Sequence, residues 1–100
     1  MKPLFIPLRK EFYEAFESGT KTTEIRLHGP RWNANTCAIG REVVLSRGYG
    51  AAHRLSGTIV GFDKVHGSSL TDEQQADLCR CFGTSELHVC LIHIQTRRPA

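Results

Sequence analysis

The 100-residue sequence contains no apolar run near the ~18 residues that a membrane-spanning helix needs, and it has no internal repeat or low-complexity tract. The N-terminal segment lacks the long apolar core and the small-residue cleavage site of a secretion signal. We therefore expect a protein without membrane segments, located in the cytoplasm. Its length is that of a single domain, which we place at residues 1–96, with a flexible tail at residues 97–100.

The spacing of the cysteines suits neither disulfides nor a metal site. The four cysteines are Cys37, Cys79, Cys81 and Cys90. Without a secretory context an even count does not predict disulfide bonds. Cys79 and Cys81 are two residues apart on a predicted helix, so they point in different directions and make a poor chelate. On a predicted strand, His93 lies on the face opposite His88 and Cys90. We predict free structural thiols, no metal and no cofactor.

The excess of positive over negative side chains is also small. The formal net charge is +3, which is compatible with binding a polyanion but does not require it. Nine of the thirteen basic residues are arginine. The planar guanidinium suits phosphate groups and base edges, so the composition favours nucleic acid slightly among possible partners.

Hydrophobic periodicity and turn residues divide the chain into strands and helices. The predicted strands are Leu4–Ile6, Thr22–Leu27, Glu42–Arg47, Arg54–Val65 and Leu87–Gln95, and the predicted helices are Leu8–Ser18 and the segment from the Thr71 cap to Phe82. Gly19 stands where a helix commonly ends, and Thr71 with Gln74 matches a capping box. Strands dominate, and the connections are too short for repeated βαβ crossovers. The sequence predicts an α+β fold, a small mixed β-barrel or half-open sheet of about five to six strands with two flanking helices.

Residues 28–40 form a predicted long loop, and loops of this length in a compact domain are usually functional or mobile. The candidate binding residues of this loop and of the following strand ends are Arg31, Trp32, Asn33, Arg47, Tyr49 and Arg54. The aromatic rings can stack on bases at roughly 1–3 kcal/mol per base, the arginines can line a phosphate track, and the asparagine can read a base edge. Alternatively, Trp32 plugs the end of the barrel and the arginines are solvated.

The second strand carries the most suggestive polar residues. Strand alternation puts Glu24 and Arg26 on one face, with Lys21 at the turn before them. We expect Ile25 and Leu27 to face the core. The polar face then either looks at water, as a surface ion pair contributing ~0–1 kcal/mol, or lines a cavity. In a cavity, a carboxylate between two cations accepts hydrogen bonds from the amino or imino groups of a base.

The segment Gly19-Thr20-Lys21-Thr22-Thr23-Glu24-Ile25-Arg26 resembles the G-x-K-x-x-E-x-R signature of the ASCH family. As in that family, it follows an amphipathic helix and enters a strand. Ile39-Gly40-Arg41-Glu42-Val43 resembles a second landmark, a Gly-Asp step before an apolar strand, with Arg41 in place of the acid. The family is similar to PUA-like domains. The resemblance implies a PUA-like barrel whose cleft, where the first motif meets the long loop, binds single-stranded RNA or a modified nucleotide.

The resemblance also implies an enzymatic alternative, and whether the chain is an enzyme stays open. Some relatives are small amidohydrolases acting on N4-acetylcytidine, and others are described as ribonucleases. The amidohydrolases use a lysine, a threonine three residues later and a distant glutamate. This chain keeps the lysine as Lys21 and has Glu24 in place of the threonine, while Glu73 or Asp77 can stand for the distant acid. A hydrolase would use Lys21 and Glu24 as catalytic residues.

A third alternative is an accessory domain for protein interaction with a vestigial cleft. Exposed edge strands are also compatible with a homodimer.

Overall fold

The computed structural model describes residues 1–97, which form a single five-stranded sheet with two α-helices. The elements are β1 (Leu4–Leu8), α1 (Lys10–Ser18), β2 (Thr23–Leu27), β3 (Glu42–Arg47), β4 (Arg54–His66), a 3₁₀ turn (Gly67–Ser69), α2 (Asp72–Phe82) and β5 (His88–Arg97). This is the predicted order of strands and helices, and the predicted capping box of α2 is present. Strand β5 includes Arg97, the predicted first residue of the tail; residues 98–100 lie outside the described part of the chain.

The sheet is mixed and curls into a half-barrel, which confirms the predicted fold class. Its strand order is β1-β3-β4-β5-β2, so β1 and β2 are the two end strands. Strand β1 pairs with β3 in parallel, and the other three pairs are antiparallel. Pro7 lies in β1, because an end strand tolerates a residue that cannot donate to the ladder on its open side. The apolar strand β5 lies inside the sheet, paired with β4 on one side and with β2 on the other.

The hydrophobic core fills the inside of the curl. Helix α1 closes one side of it with Tyr13 and Phe16, both fully or almost fully buried. Burying a large apolar side chain stabilises a fold by about 1.5–3 kcal/mol. The helix ends at Gly19, whose φ of 83° lies in the left-handed region that glycine adopts without steric cost. The chain then turns directly into β2.

The long loop after β2 is held by its own side chains. The Asn33 amide nitrogen donates to two loop carbonyls, and its oxygen accepts from two loop N–H groups. The Arg41 guanidinium donates to the Thr36 carbonyl at 2.6 Å. Trp32 is only 8% exposed and belongs to the core. The loop is therefore an ordered cover on one end of the half-barrel.

The prediction that Ile25 and Leu27 face the core is wrong. Glu24 is 7% exposed, whereas Leu27 is 39% exposed, so the polar face of β2 points inward. Two properties of the fold permit this. Strand β2 lies at the end of the sheet, and the Glu24 carboxylate is paired with two cations, which compensates the loss of hydration.

All four cysteines are free thiols, two of them buried and two exposed on α2. Burial raises the pKa of Cys90 to about 11, so the group stays a neutral thiol at physiological pH. That thiol donates to the Trp32 carbonyl at 3.2 Å. Within residues 1–97, no His, Cys, Asp and Glu side chains are grouped to hold a metal ion, and no helix is long and apolar enough to cross a bilayer.

Candidate functional site

The two end strands of the sheet leave an open seam, and this seam holds a cleft of about 700 Å³. We call it the seam cleft. Its walls come from the end of β1 and the first turn of α1, from Lys21 and β2, and from α2. The lining residues with charged or aromatic side chains are Arg9, Glu11, Phe12, Lys21, Glu24, Arg26, Glu73, Asp77, Arg80 and Phe82. The first sequence motif therefore lies at a concave surface, the usual setting of a small-molecule site.

Lys21, Glu24 and Arg26 meet in this cleft as an ion-paired group. The Nε and Nη2 atoms of Arg26 both lie 2.9 Å from Glu24 Oε2, and Lys21 Nζ lies 3.8 Å from Glu24 Oε1. The Glu24 side chain is 9% exposed, and the two cations are about one quarter exposed. Of the two interpretations left open by the sequence, the structure shows the cavity. Because both Arg26 bonds go to Oε2, Oε1 keeps acceptor capacity for a ligand.

Arg26 also bridges the seam. Its Nη2 donates to the Pro7 carbonyl on β1 at 2.6 Å, and its guanidinium carbon lies 4.8 Å from the centre of the Trp32 ring. Among residues 1–97, this is the one hydrogen bond that joins β1 to β2. The Arg26 side chain thus links the two end strands, which a ladder of backbone hydrogen bonds would link in a closed barrel.

Two phenylalanine rings that the sequence reasoning missed line the seam cleft. Phe12 on α1 is 37% exposed, and Phe82 at the end of α2 is 49% exposed. The Lys21 ammonium lies 5.2 Å from the centre of the Phe12 ring. Helical spacing alone places Phe12 on the apolar face of α1, which suggests a core residue. The sequence does offer one signal against this: Tyr13 and Phe16 already supply the buried face of the helix, so Phe12 is free to line a cleft.

The charges around the seam cleft balance. Four basic and four acidic residues line it, and Asp77 is ion-paired with Arg80 on the α2 wall. A balanced cleft does not concentrate a polyanion as a basic groove does. A smaller hollow of about 370 Å³ adjoins it, lined by Arg9 and Arg26 together with Tyr49, and none of its lining residues is acidic. The hollow therefore suits an anionic group better than the cleft does.

The predicted binding residues of the long loop lie away from the seam cleft. Arg31, Trp32 and Asn33 do not line the cleft, and the Asn33 amide is already bonded within the loop. The Arg31 guanidinium carbon lies 5.2 Å from the centre of the Trp32 ring. Trp32 and Asn33 therefore contribute to the packing of the loop, and Arg31 is exposed beside the Trp32 ring.

The predicted binding residues of the strand ends are also outside the seam cleft. Tyr49 is 81% exposed and lines only the adjoining hollow. Arg47 is half-buried at the end of β3, and the Arg54 guanidinium carbon lies 5.2 Å from the centre of the Phe5 ring. Of these three residues, the structure brings only Tyr49 near the Lys21–Glu24–Arg26 group.

The second helix brings the predicted distant acids to the same site. Glu73 and Asp77 both line the seam cleft from the α2 wall, together with Leu78, the one buried residue of that helix within its described length. Acids from the second half of the chain thus share one cavity with Lys21.

The strand order, the curl of the sheet and the two helices define an ASCH-like half-barrel. No protein-family model matches the chain, and no curated protein matches it in sequence. Its fold is similar to that of a point mutant of the ZmASCH protein from Zymomonas mobilis, with a TM-score of 0.67 and 19% identity over 100% of this chain and 76% of the other. It is also similar to hypothetical protein PH0355, with a TM-score of 0.68 and 16% identity over 96% of this chain and 100% of the other.

At these identities the likeness establishes the fold. It confirms the resemblance noted from the Gly19–Arg26 motif at the level of architecture.

Proposed function

We propose that this protein binds a nucleotide, either free or within single-stranded RNA, with the base in the seam cleft. The observation that carries the proposal is the ion-paired Lys21–Glu24–Arg26 group beside the half-exposed rings of Phe12 and Phe82. An apolar ring stacks on the face of any base, and a few polar groups fix the edge of that base. Two partly exposed phenylalanine rings in one cleft, rimmed by charged residues, form an apolar surface of the kind that marks binding sites.

The adjoining hollow supports a place for the phosphate. It shares Arg9 and Arg26 with the seam cleft, and two guanidinium groups in a hollow without a lining carboxylate suit a phosphate oxygen. The ligand would then contact few phosphate-binding side chains. Since the salt dependence of binding grows with the number of neutralised phosphates, we expect shallow salt dependence for a short oligonucleotide.

Replacing Lys21 with alanine is expected to weaken binding of short fluorescein-labelled RNA by about fivefold, because one partly buried cation is lost from the site. Fluorescence anisotropy at low and at physiological salt measures the effect. The matched control is Lys64→Ala, which removes an exposed lysine on β4. Equal affinity of the two variants, or no binding of RNA or mononucleotides by the unaltered protein, would contradict the cleft assignment.

A second candidate function is hydrolysis, either of an acyl group on a cytidine-type nucleoside or of RNA. It is favoured by the presence of Glu73 and Asp77 in the same cleft as Lys21 and Glu24. In an acyl hydrolysis, Glu24 Oε1 would take a proton from the attacking water. Lys21 would stabilise the oxyanion that develops on the acyl oxygen, and the protonated Glu24 would return its proton to the cytosine amino nitrogen as the C–N bond breaks.

Incubation with N4-acetylcytidine and with labelled RNA tests the hydrolase directly. We expect any true turnover to fall by about 100-fold or more in Glu24→Gln, because a general base contributes ~10²–10⁴-fold. Glu73→Gln and Asp77→Asn identify which acid on α2 takes part. Absence of turnover, or turnover that survives Glu24→Gln, rules out this mechanism and leaves nucleotide binding.

A further inference from the structure

Strand β2 pairs with β5 along one edge, and its other edge is open. Which residues of β2 bond to β5 decides which residues direct their N–H and C=O groups to the open edge. Ile94 N–H donates to the Thr22 carbonyl at 2.8 Å, and His28 N–H donates to the His88 carbonyl at 3.1 Å. In an antiparallel ladder, hydrogen-bonded residues alternate with residues whose N–H and C=O point away. The residues of β2 that pair with β5 are therefore the even-numbered ones, and the peptide groups of Ile25 point to the open edge.

The open edge at Ile25 lies in the seam cleft. Ile25 lines the cleft between Glu24 and Arg26, whereas Thr23 and Leu27, whose peptide groups also point outward, do not line it. No hydrogen bond of the described residues involves the Ile25 N–H or C=O on that side. The outward N–H and C=O of Ile25 are thus a candidate main-chain donor–acceptor pair for a ligand in the cleft, and Glu24 Oε1 is a further acceptor on the same strand.

This inference rests on the proposed function. We propose that the Ile25 N–H and C=O pair with the hydrogen-bonding edge of one base, that Glu24 Oε1 accepts from its amino group, and that the protein therefore selects amino-bearing bases over uracil. Every base offers an acceptor next to a donor, which matches the peptide pair. Adenine, cytosine and guanine then have an N–H of their amino group left to donate to the Glu24 carboxylate. In uracil, a carbonyl oxygen takes the position of that amino group, and the carboxylate repels it.

The same geometry disfavours an added β-strand as the occupant. Strand addition requires main-chain pairing along several residues, whereas Ile25 is the one residue of β2 with outward peptide groups that lines the cleft. In addition, the Arg26 bond to the Pro7 carbonyl crosses the seam next to that residue. A flat group with a single hydrogen-bonding edge fits this arrangement better than an extended chain.

Proline at position 25 tests the main-chain donor. Ile25→Pro removes an N–H that points to the open edge, so no ladder bond is lost, and edge strands tolerate proline in this position. Two variants serve as controls. Ile25→Ala keeps the N–H and shortens the side chain, and Leu27→Pro removes an outward N–H beside the cleft rather than in it. Circular dichroism and thermal unfolding establish that each variant is folded.

Short labelled oligo(A), oligo(C) and oligo(U) serve as ligands. We expect the unaltered protein to bind oligo(A) and oligo(C) about tenfold more tightly than oligo(U), the effect of one unmatched hydrogen bond to a charged group. Ile25→Pro is expected to bind oligo(C) about tenfold more weakly than Ile25→Ala, for the loss of one hydrogen bond to the base, with Leu27→Pro unchanged. The base preference is measured on the unaltered protein, so it tests the inference even if Ile25→Pro does not fold.

The outcomes separate this inference from the proposed function. Binding of all three ligands with equal affinity, and equally by Ile25→Pro and Ile25→Ala, overturns the inference and leaves nucleotide binding in place. No binding of any ligand overturns both. If Ile25→Pro instead abolishes self-association in sedimentation experiments and leaves RNA affinity intact, the open edge pairs with a second copy of the chain and the inference is wrong.

Discussion

Replacing Arg26 with alanine is expected to lower the free energy of unfolding by about 3 kcal/mol, since removing one partner of a buried ion pair leaves the other charge uncompensated. Arg26 provides both close contacts to Glu24 Oε2 at 2.9 Å, the bond to the Pro7 carbonyl across the seam, and packing against the Trp32 ring. Without it, the Glu24 side chain keeps only Lys21, at 3.8 Å. Urea unfolding followed by circular dichroism measures the change.

Two further variants test whether the loss of stability in Arg26→Ala comes from leaving the Glu24 charge buried without a partner, rather than from the loss of any ion pair. In the double variant Glu24→Met/Arg26→Met both charges are gone and the volume is nearly kept, so we expect much of the stability to return. Lys10→Ala breaks an exposed ion pair with Glu14 and should leave stability almost unchanged. If Arg26→Ala unfolds at the same urea concentration as Lys10→Ala, then the bridge across the seam is not a stabilising part of the half-barrel.

Replacing Phe82 with alanine is expected to weaken binding of short RNA by about thirtyfold, the equivalent of ~2 kcal/mol for the loss of one stacking ring. Phe12→Ala should have a similar effect, because both rings line the seam cleft and both are partly exposed. Phe82 is the last residue of α2, so its truncation should affect stability little. Anisotropy titration of labelled oligo(C) measures the affinity of each variant.

The controls distinguish stacking from a general loss of apolar surface. Val60→Ala removes a 51% exposed apolar side chain from β4, outside the seam cleft, and should leave binding unchanged. Tyr49→Ala should have a smaller effect than Phe82→Ala, because Tyr49 lines only the adjoining hollow. If Tyr49→Ala abolishes binding and both phenylalanine variants bind normally, the base lies in the hollow and the present assignment of the cleft is wrong.

Arg26 has a structural role and also a place in the proposed site. It joins the end strands of the sheet, and it lines both the seam cleft and the hollow. The bonds of Arg26 to Glu24 and to the Pro7 carbonyl use its Nε and Nη2 atoms. Its Nη1 atom makes no hydrogen bond within the described residues, so a ligand phosphate can accept from Nη1 while those bonds remain.

Local signals in the sequence predicted the elements of this fold. Apolar spacing defined α1 and its end at Gly19, and the Thr71–Gln74 capping box defined the start of α2. Alternation and apolar content defined the five strands in their correct order. These signals work because each depends on residues within one helical turn or one strand, so no knowledge of distant contacts is needed. The Gly19–Arg26 motif likewise indicated the ASCH-like fold.

The contacts across the seam could not be predicted in this way. They decided that the polar face of β2 points inward, because the Pro7 carbonyl becomes a partner for Arg26 only after the sheet has curled. The packing of the long loop against the half-barrel likewise placed Trp32 in the core.

The sequence by itself determined the helices, the strands, their order and the position of the Lys21–Glu24–Arg26 group at the start of one strand. Only the tertiary structure decided what that group faces, and which aromatic rings line the cleft with it: Phe12 and Phe82 rather than Trp32. The physical reason is that strand alternation specifies which residues share a face, whereas the curl of the sheet and the packing of α2 specify which of the two faces meets a cavity.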